Sequence, residues 1–470
     1  MTGPRVVILT YTGLALLQRG LSFVLLPFVT RAMTVDEYGM ISVVVSIGGL
    51  VGILLGGFLE QAVYRWSVPA ISSAEGGGVP RVTYLWLMIA LPTVGAVAGT
   101  GITFCTFEFL GVDSFVWGIE FAAVCTLASV SYFALPVLRA TEKLPRYVLL
   151  ASTSIIALLA GKLVIVIALR GGVLGWVWSD LAASLITFLL ALLVVKGPRA
   201  SFSKADVVTV LRYGVPLIPH LIAFWALASL SRPVTALLLP FKDVGTFSAA
   251  FNTVNVGLLV LSELNRAVLI DYSREKFPAP SKTLERTMRL QLVLTVLLTV
   301  CIGAFSPLAE SILFPAQFRG VATLIVILSI SCLAFGAYIV VMNFVVQTSA
   351  NTSLSWIASV SGAVVITGLC LALVAPLGVE GVAIATSAGY ATMAVVAVLI
   401  TFRMGLAIRW RALASPSWAV VVLALSVVVS CSSALLAPDQ MWLVTGGSIA
   451  LIACLWAARG YTKAGRLNRS

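Results

Sequence analysis

The sequence has little charge and almost no histidine. Only 10% of its 470 residues are Asp, Glu, Lys or Arg, 60% are hydrophobic, and the mean hydropathy is +1.08. Because soluble domains average nearer a quarter charged residues, this composition indicates an integral membrane protein. His220 is the single histidine, which excludes a histidine-based metal centre. The net charge of +12 comes from basic residues in loops, which does not indicate a nucleic-acid partner.

Catalytic and redox motifs are also missing. The seven cysteines lie in or beside apolar segments and form no CxxC pair, so we interpret them as small buried apolar residues. No P-loop, no HExxH motif and no GxSxG motif with partners occurs. The loops are too short for a catalytic domain. We therefore expect no catalytic residue, no bound metal and no resident cofactor, that is, a protein other than an enzyme.

Long apolar runs fill the chain instead. A transmembrane helix needs ~20 apolar residues, and by this criterion the sequence predicts an all-α polytopic membrane protein with about fourteen transmembrane helices. The predicted spans are 6–29, 40–63, 81–105, 115–138, 147–169, 173–195, 213–238, 244–269, 288–308, 321–346, 354–375, 380–402, 416–437 and 441–458.

Two stretches of the chain resemble each other at a fixed offset. Gly39 and Gly245 lie 206 positions apart in similar hairpins, and Gly175 and Gly381 have the same offset. A parallel internal repeat of six helices is therefore predicted. The predicted domains are an N-lobe of helices 1–6 (1–196), a cytoplasmic linker (197–212), a C-lobe of helices 7–12 (213–403), and two appended helices with a basic tail (404–470).

The basic residues predict the orientation. With the N-terminus inside, twenty-two of the 30 lysines and arginines fall in cytoplasmic segments, four in outer loops and four within spans. This asymmetry is a strong positive-inside signal and predicts that both termini are cytoplasmic.

Charged and polar residues inside spans mark candidate functional sites. Arg19, preceded by Gln18, lies near the middle of helix 1, where it either binds an anionic substrate or pairs with a neighbouring helix. In helix 8, Asn252 and Asn255 belong to a polar stripe on one helical face, which should face protein or water. We assign these four residues to substrate binding.

Two pairs of opposite charges lie within the spans. Lys162 and Asp180 flank the outer turn at Arg170 at similar depth, so they either form a salt bridge or serve as a site for a coupling ion. Glu60 and Arg266 occupy equivalent positions in the two repeats, and they either gate the cytoplasmic side or extend to the membrane interface.

The sequence also resembles a known family. The opening LLQRGLSFVLLPFVTRAMTVDEYGMISVV, the segment LRATEKLPRYVLL, and YGVPLIPH with the later DVGTFSAAF are similar to bacterial polysaccharide-biosynthesis membrane proteins, the O-antigen and repeat-unit flippases. These belong to the multidrug/oligosaccharidyl-lipid/polysaccharide exporter superfamily. The resemblance covers nearly the whole chain. One departure is Ser231, where the family often has an acid before the arginine that matches Arg232.

The resemblance implies a function. It implies a two-lobed transporter of the bacterial plasma membrane that moves an undecaprenyl-pyrophosphate-linked oligosaccharide to the outer leaflet by alternating access. Arg19, Arg31 and Arg232 would bind the anionic head, and a proton or sodium gradient would drive transport. Expected partners are the lipid-linked oligosaccharide, membrane lipid and other polysaccharide assembly proteins. The alternatives are an exporter of small cationic compounds, and a membrane glycan polymerase or ligase.

Overall fold

The chain folds into long apolar helices. The computed structural model describes residues 4–67, 79–195, 204–275, 279–349 and 353–406, so the last two predicted spans lie outside the described residues. Ten helical segments of the described residues are long and apolar enough to cross a membrane. The protein is a multi-pass integral membrane protein.

The first half contains nine helices among the described residues. They are α1 (Pro4–Ala32), α2 (Val35–Leu55), α3 (Glu60–Ser67), α4 (Arg81–Tyr84), α5 (Leu91–Thr103), α6 (Ser114–Ser129), α7 (Leu135–Ala140), α8 (Leu144–Gly161) and α9 (Gly172–Val194). A two-stranded antiparallel hairpin, β1 (Glu108–Phe109) and β2 (Val112–Asp113), joins α5 to α6.

Three spans of this half contain wider π-helical segments. They are Leu85–Ala90 after α4, Val130–Ala134 after α6 and Lys162–Ala168 after α8. A π-helical turn inside an α-helix is uncommon and occurs frequently at functional sites. The third segment begins at one of the predicted site residues.

The second half has eight helices among the described residues. They are α10 (Lys204–Gly214), α11 (Ile218–Ser229), α12 (Ser231–Leu238), α13 (Phe241–Ser273), α14 (Lys282–Ala304), α15 (Ser306–Leu313), α16 (Val321–Ser349) and α17 (Ser353–Arg403).

Two backbone interruptions shape these helices. The predicted span 213–238 is interrupted by a 3₁₀ turn at Val215–Leu217, which contains Pro216. Proline removes a backbone donor there, as expected for a proline near the entry of a helix. Inside α17, Gly378 has φ 56° and ψ −136°, a conformation that glycine adopts readily. This kink separates the predicted spans 354–375 and 380–402.

The described residues form two compact units. One contains the chain up to Ala249 together with Ser355–Gly389, and the other contains Ala250–Leu354 together with the residues from Tyr390. In the first unit a large apolar core includes the buried side chains of Leu87 and Leu150. In the second unit α14 and α15 pack on α16.

The starts of α2 and α13 cross in the first unit with almost no space between their backbones. A Cβ atom at Gly39 would lie 2.1 Å from the carbonyl oxygen of Phe241, and one at Gly245 would lie 2.1 Å from that of Val35. The contact is reciprocal at the predicted offset of 206 residues. Two repeats that meet across a pseudo-twofold axis have this relation, and only glycine fits at both positions.

The position where α2 begins is fixed by a capping box. The Thr34 hydroxyl accepts a hydrogen bond from the Glu37 amide at 3.2 Å, and the Thr34 amide donates to the Glu37 carboxylate at 2.8 Å. Both bonds satisfy amides that the first helical turn leaves without an intrahelical partner. The helix therefore starts two residues before Glu37, which aligns Gly39 with the crossing.

Candidate functional site

The predicted cationic residues of the first unit lie in different surroundings. Gln18 and Arg19 belong to α1, but their side chains lie outside the described part of the structure, so their role stays a prediction. Arg31, in the last turn of α1, is exposed and its Nη1 donates to the Pro27 carbonyl at 2.6 Å.

Of the predicted cationic substrate ligands, the structure describes the side chains of Arg31 and Arg232. Arg232 is the buried one of these two. Its residue surface is only 8% exposed, and its Nη1 donates to the Ala228 carbonyl at 3.1 Å. The neighbouring Ser231, at the position where related proteins often carry an acid, shares a 2.8 Å hydrogen bond with the Thr386 hydroxyl of α17. At this position, where the sequence departs from the family that it resembles, the structure has a hydroxyl pair.

The polar stripe of α13 lies on a partly open face in the second unit. Asn252 is half-buried, and Asn255 and Arg266 are exposed. That the stripe faces protein or water stays a prediction. Arg266 Nη1 lies 2.6 Å from Glu263 Oε1, one turn earlier in the same helix. Glu60, in the first turn of α3, is half-buried, and the proposed gate between Glu60 and Arg266 stays a prediction.

Lys162 and Asp180 come together in the first unit. Lys162 begins the π-helical segment after α8, and its Nζ lies 2.9 Å from Asp180 Oδ2 of α9. The ammonium also donates to the Trp176 carbonyl at 3.1 Å and lies 3.6 Å from the centroid of the Trp176 ring. The lysine side chain is 3% exposed and the aspartate side chain 21% exposed. The ion pair is thus nearly buried between two membrane-spanning segments.

A third ionisable group, Glu120, belongs to this cluster and was missed by the sequence analysis. Glu120 lies in α6, is 6% exposed, and interacts electrostatically with both Asp180 and Lys162. Its Oε2 atom is buried without a hydrogen-bond partner among the described residues. The signal was available, because Glu120 is the one acid in the apolar predicted span 115–138. We call Glu120, Lys162 and Asp180 the charged cluster.

A glycine face of α2 packs against Glu120 and its helix α6. A Cβ atom at Gly48 would lie 3.0 Å from Glu120 Oε1, and one at Gly52 would lie 3.4 Å from Val124 of α6. Glycines at four-residue spacing let membrane helices approach closely. The backbone of α2 therefore packs directly against the Glu120 carboxyl group.

The second unit contains a neutral polar network instead. The Tyr272 hydroxyl donates to Gln291 Oε1 at 2.5 Å, Gln291 Nε2 donates to Asn265 Oδ1 at 3.3 Å, and Asn343 Nδ2 donates to the same Asn265 oxygen. These residues join α13, α14 and α16. We call them the amide network.

The fold is shared with two kinds of solved transporter structure. The lipid II flippase MurJ in an inward closed conformation has a TM-score of 0.66 at 13% identity, over 98% of this chain and 99% of that chain. An inward-facing multidrug resistance MATE family transporter of the MOP superfamily has a TM-score of 0.64 at 14% identity, over 83% of this chain and 94% of that chain. At these identities the likeness establishes the fold.

The fold and its long apolar helices define a polytopic membrane protein. Residues 7–275 match the family described as polysaccharide biosynthesis protein. This chain belongs to that family, as its opening and its YGVPLIPH segment predict. No curated protein sequence matches it.

Proposed function

We propose that this protein is a flippase that moves an undecaprenyl-pyrophosphate-linked oligosaccharide repeat unit from the cytoplasmic to the outer leaflet of the bacterial plasma membrane. Membership of the polysaccharide biosynthesis protein family is the observation that carries this proposal. The fold it shares with a lipid II flippase supports it. The glycan would serve cell-surface polysaccharide synthesis, with other assembly proteins as partners.

The proposed substrate contact is made by cations that lie within or beside the spans. The buried guanidinium of Arg232 supports this role, because arginine presents several donors to a phosphate and keeps its charge when desolvated. Arg19 and Arg31 would extend the cationic surface, and Gln18, Asn252 and Asn255 would contact sugar hydroxyls.

Alternating access would proceed by rocking of the lobes 1–196 and 213–403. The reciprocal crossing at Gly39 and Gly245 supports a closure between repeats at the outer ends of α2 and α13. Glu60 and Arg266 would gate the cytoplasmic side. The isoprenoid anchor would remain in the bilayer throughout.

Reconstituted proteoliposomes test the substrate. A fluorescent undecaprenyl-pyrophosphate-linked oligosaccharide should become accessible to a membrane-impermeant quencher faster in the presence of the protein. Arg232→Gln should slow this transfer at least severalfold, Arg232→Lys should slow it less, and the exposed Arg319→Gln should not affect it. Transport of a cationic dye without transfer of the glycan lipid would instead establish a small-molecule exporter, and elongation of the glycan chain would establish an enzyme.

A second experiment tests the crossing of α2 and α13 at Gly39 and Gly245. Adding a methyl group in Gly39→Ala or Gly245→Ala forces the backbones apart, and overpacking of this kind costs about 1–3 kcal/mol. Glycan-lipid transfer should fall severalfold in both variants. Gly368→Ala is the matched control, because a Cβ atom there meets nothing within 4 Å. Equal transfer rates in all three variants would refute a closure at this crossing.

A further inference from the structure

The charged cluster contains two carboxyl groups and only one ammonium group. With all three groups ionised, two carboxylates face one ammonium, and all three residues lie within membrane-spanning segments. An uncompensated charge is costly in a medium without water. Protonation of one carboxyl group removes the excess, so the cluster is neutral with one proton bound.

The contacts identify which carboxyl group takes the proton. Asp180 holds the Lys162 ammonium at 2.9 Å, which stabilises its ionised form. Glu120 Oε2 has no hydrogen-bond partner among the described residues. A neutral carboxyl group loses far less than a carboxylate when no donor reaches it.

We propose that Glu120 is the proton-carrying group of this transporter, bound to a proton in the structure described and releasing it during the transport cycle. This inference rests on the proposed function for its purpose, but the bound proton can be detected without a substrate. In the release step the O–H bond of Glu120 breaks, its electron pair stays on the carboxylate, and the proton passes to water. The Lys162 ammonium, which contacts Asp180 and the Trp176 carbonyl, then also attracts the new Glu120 carboxylate electrostatically.

In the described part of the chain, the charged groups that face Glu120 are Asp180 and Lys162, and no other charge lies there to balance the Glu120 carboxylate. Asp180 comes from α9 and Lys162 from the segment after α8. The facing part of α2 is Gly48, and α5 and the segment Leu85–Ala90 contain no charged residue. Tyr132, in the segment after α6, faces the α2 glycines. The Lys162 ammonium already supplies, beside Asp180, the positive charge that a sodium ion would supply there, which favours a proton as the coupling ion.

The internal repeat provides a comparison within one chain. At the 206-residue offset, Glu120, Lys162 and Asp180 correspond to Val326, Gly368 and Thr386. The second repeat therefore builds the equivalent helices without any of the three charges. The helical architecture therefore does not require the cluster, which supports a role for it in transport.

Proton release at Glu120 would act on the helix that makes the repeat crossing. The Glu120 carboxyl group packs against the backbone of α2 at Gly48, and the same helix contacts α13 at Gly39. A newly ionised carboxylate attracts water and lysine charge, which changes the contact with α2. The geometry thus connects the proton site to the crossing through one helix.

Infrared difference spectroscopy on the full-length protein in lipid nanodiscs tests the bound proton. A buried protonated carboxyl group has a C=O stretching band that disappears as the pH rises. We expect this band in the wild type, its loss in Glu120→Gln, its shift in Glu120→Asp, and no change in Glu142→Gln, which alters an exposed loop residue.

Three results would overturn the proposal. One is a band that persists in Glu120→Gln and disappears in Asp180→Asn, which would assign the proton to Asp180. Another is the absence of any titrating carboxyl band. The third is a band that responds to sodium at constant pH. Each result is independent of glycan-lipid transfer, so failure here and failure of the proposed flippase are distinguishable. Should Glu120→Gln fail to fold, Glu120→Asp supplies the band assignment.

Discussion

The charged cluster and the amide network are two solutions to the same problem, that of polar groups inside a membrane. In the amide network, Tyr272, Gln291 and Asn343 each donate to an amide oxygen, and the network is uncharged. In the charged cluster, Glu120 keeps an oxygen without a partner among the described residues, and the charges cancel only when one proton is bound. The first arrangement fastens helices together, whereas the second keeps a titratable group in an unfavourable setting, as expected of a functional site.

Breaking the ion pair should have the largest effect on stability. Lys162→Met leaves Asp180 buried without its cation, and removal of one partner of a buried pair costs ~3–5 kcal/mol. We expect a marked fall in the thermal unfolding midpoint of the detergent-purified protein. Lys204→Met, at an exposed lysine of α10, is the control. Equal midpoints for the two variants would contradict the importance of the pair.

Disrupting the amide network should have a smaller effect. Gln291→Leu removes the acceptor of Tyr272 and one donor to Asn265, and unsatisfied buried polar groups cost ~1–3 kcal/mol. The unfolding midpoint should fall, and transfer of the glycan lipid, measured in folded protein, should keep the wild-type response to pH. A loss of that pH response would show that the amide network takes part in transport as well as holding the helices together.

Removing the hydrogen bond between Ser231 and Thr386 should have a smaller effect on stability. Thr386→Val removes the 2.8 Å hydrogen bond to Ser231 while it preserves side-chain shape. A neutral hydrogen bond contributes ~0.5–1.5 kcal/mol, and the stability should fall by about this amount in denaturant unfolding. Thr209→Val, on the exposed face of α10, controls for the loss of a hydroxyl group. A change in the pH response of transfer would assign Thr386 a role in coupling.

Removing the entire charged cluster should not destabilise the protein. The combined variant Glu120→Val, Lys162→Met and Asp180→Thr replaces all three charges together, and apolar replacement of buried ion pairs is often neutral or stabilising, within ~1–4 kcal/mol. Its unfolding midpoint should therefore match or exceed that of the wild type, and its transfer should lose pH dependence. A variant less stable than Lys162→Met alone would indicate that the cluster is structural.

Much of the fold follows from local patterns in the sequence. The apolar runs predicted most spans, and Pro216 marked a helix interruption. The paired glycines at a constant offset predicted an internal repeat, and the structure brings one such pair, Gly39 and Gly245, into contact. The depths of Lys162 and Asp180, counted from Arg170, predict that these two side chains lie close together, and the 2.9 Å ion pair agrees with this. Each of these inferences needs only helical rise and the chemistry of proline or glycine.

The rest of the candidate site depends on packing that no local pattern encodes. The missing partner of Glu120 Oε2 depends on how the described helices α2, α6 and α9 meet. The π-helical segment that begins at Lys162 contains no proline, so no residue in it predicts a change from the α-helical conformation. The hydroxyl pair of Ser231 and Thr386 joins residues far apart in the chain, and its formation follows from the contact of α12 with α17.

The response of transport to a proton gradient tests the central claim most directly. Proteoliposomes that contain a fluorescent undecaprenyl-pyrophosphate-linked oligosaccharide would be compared with and without a pH gradient, for the wild type and for Glu120→Gln. The account predicts that the gradient accelerates transfer severalfold in the wild type and has no effect in Glu120→Gln. Equal acceleration in both proteins would contradict it.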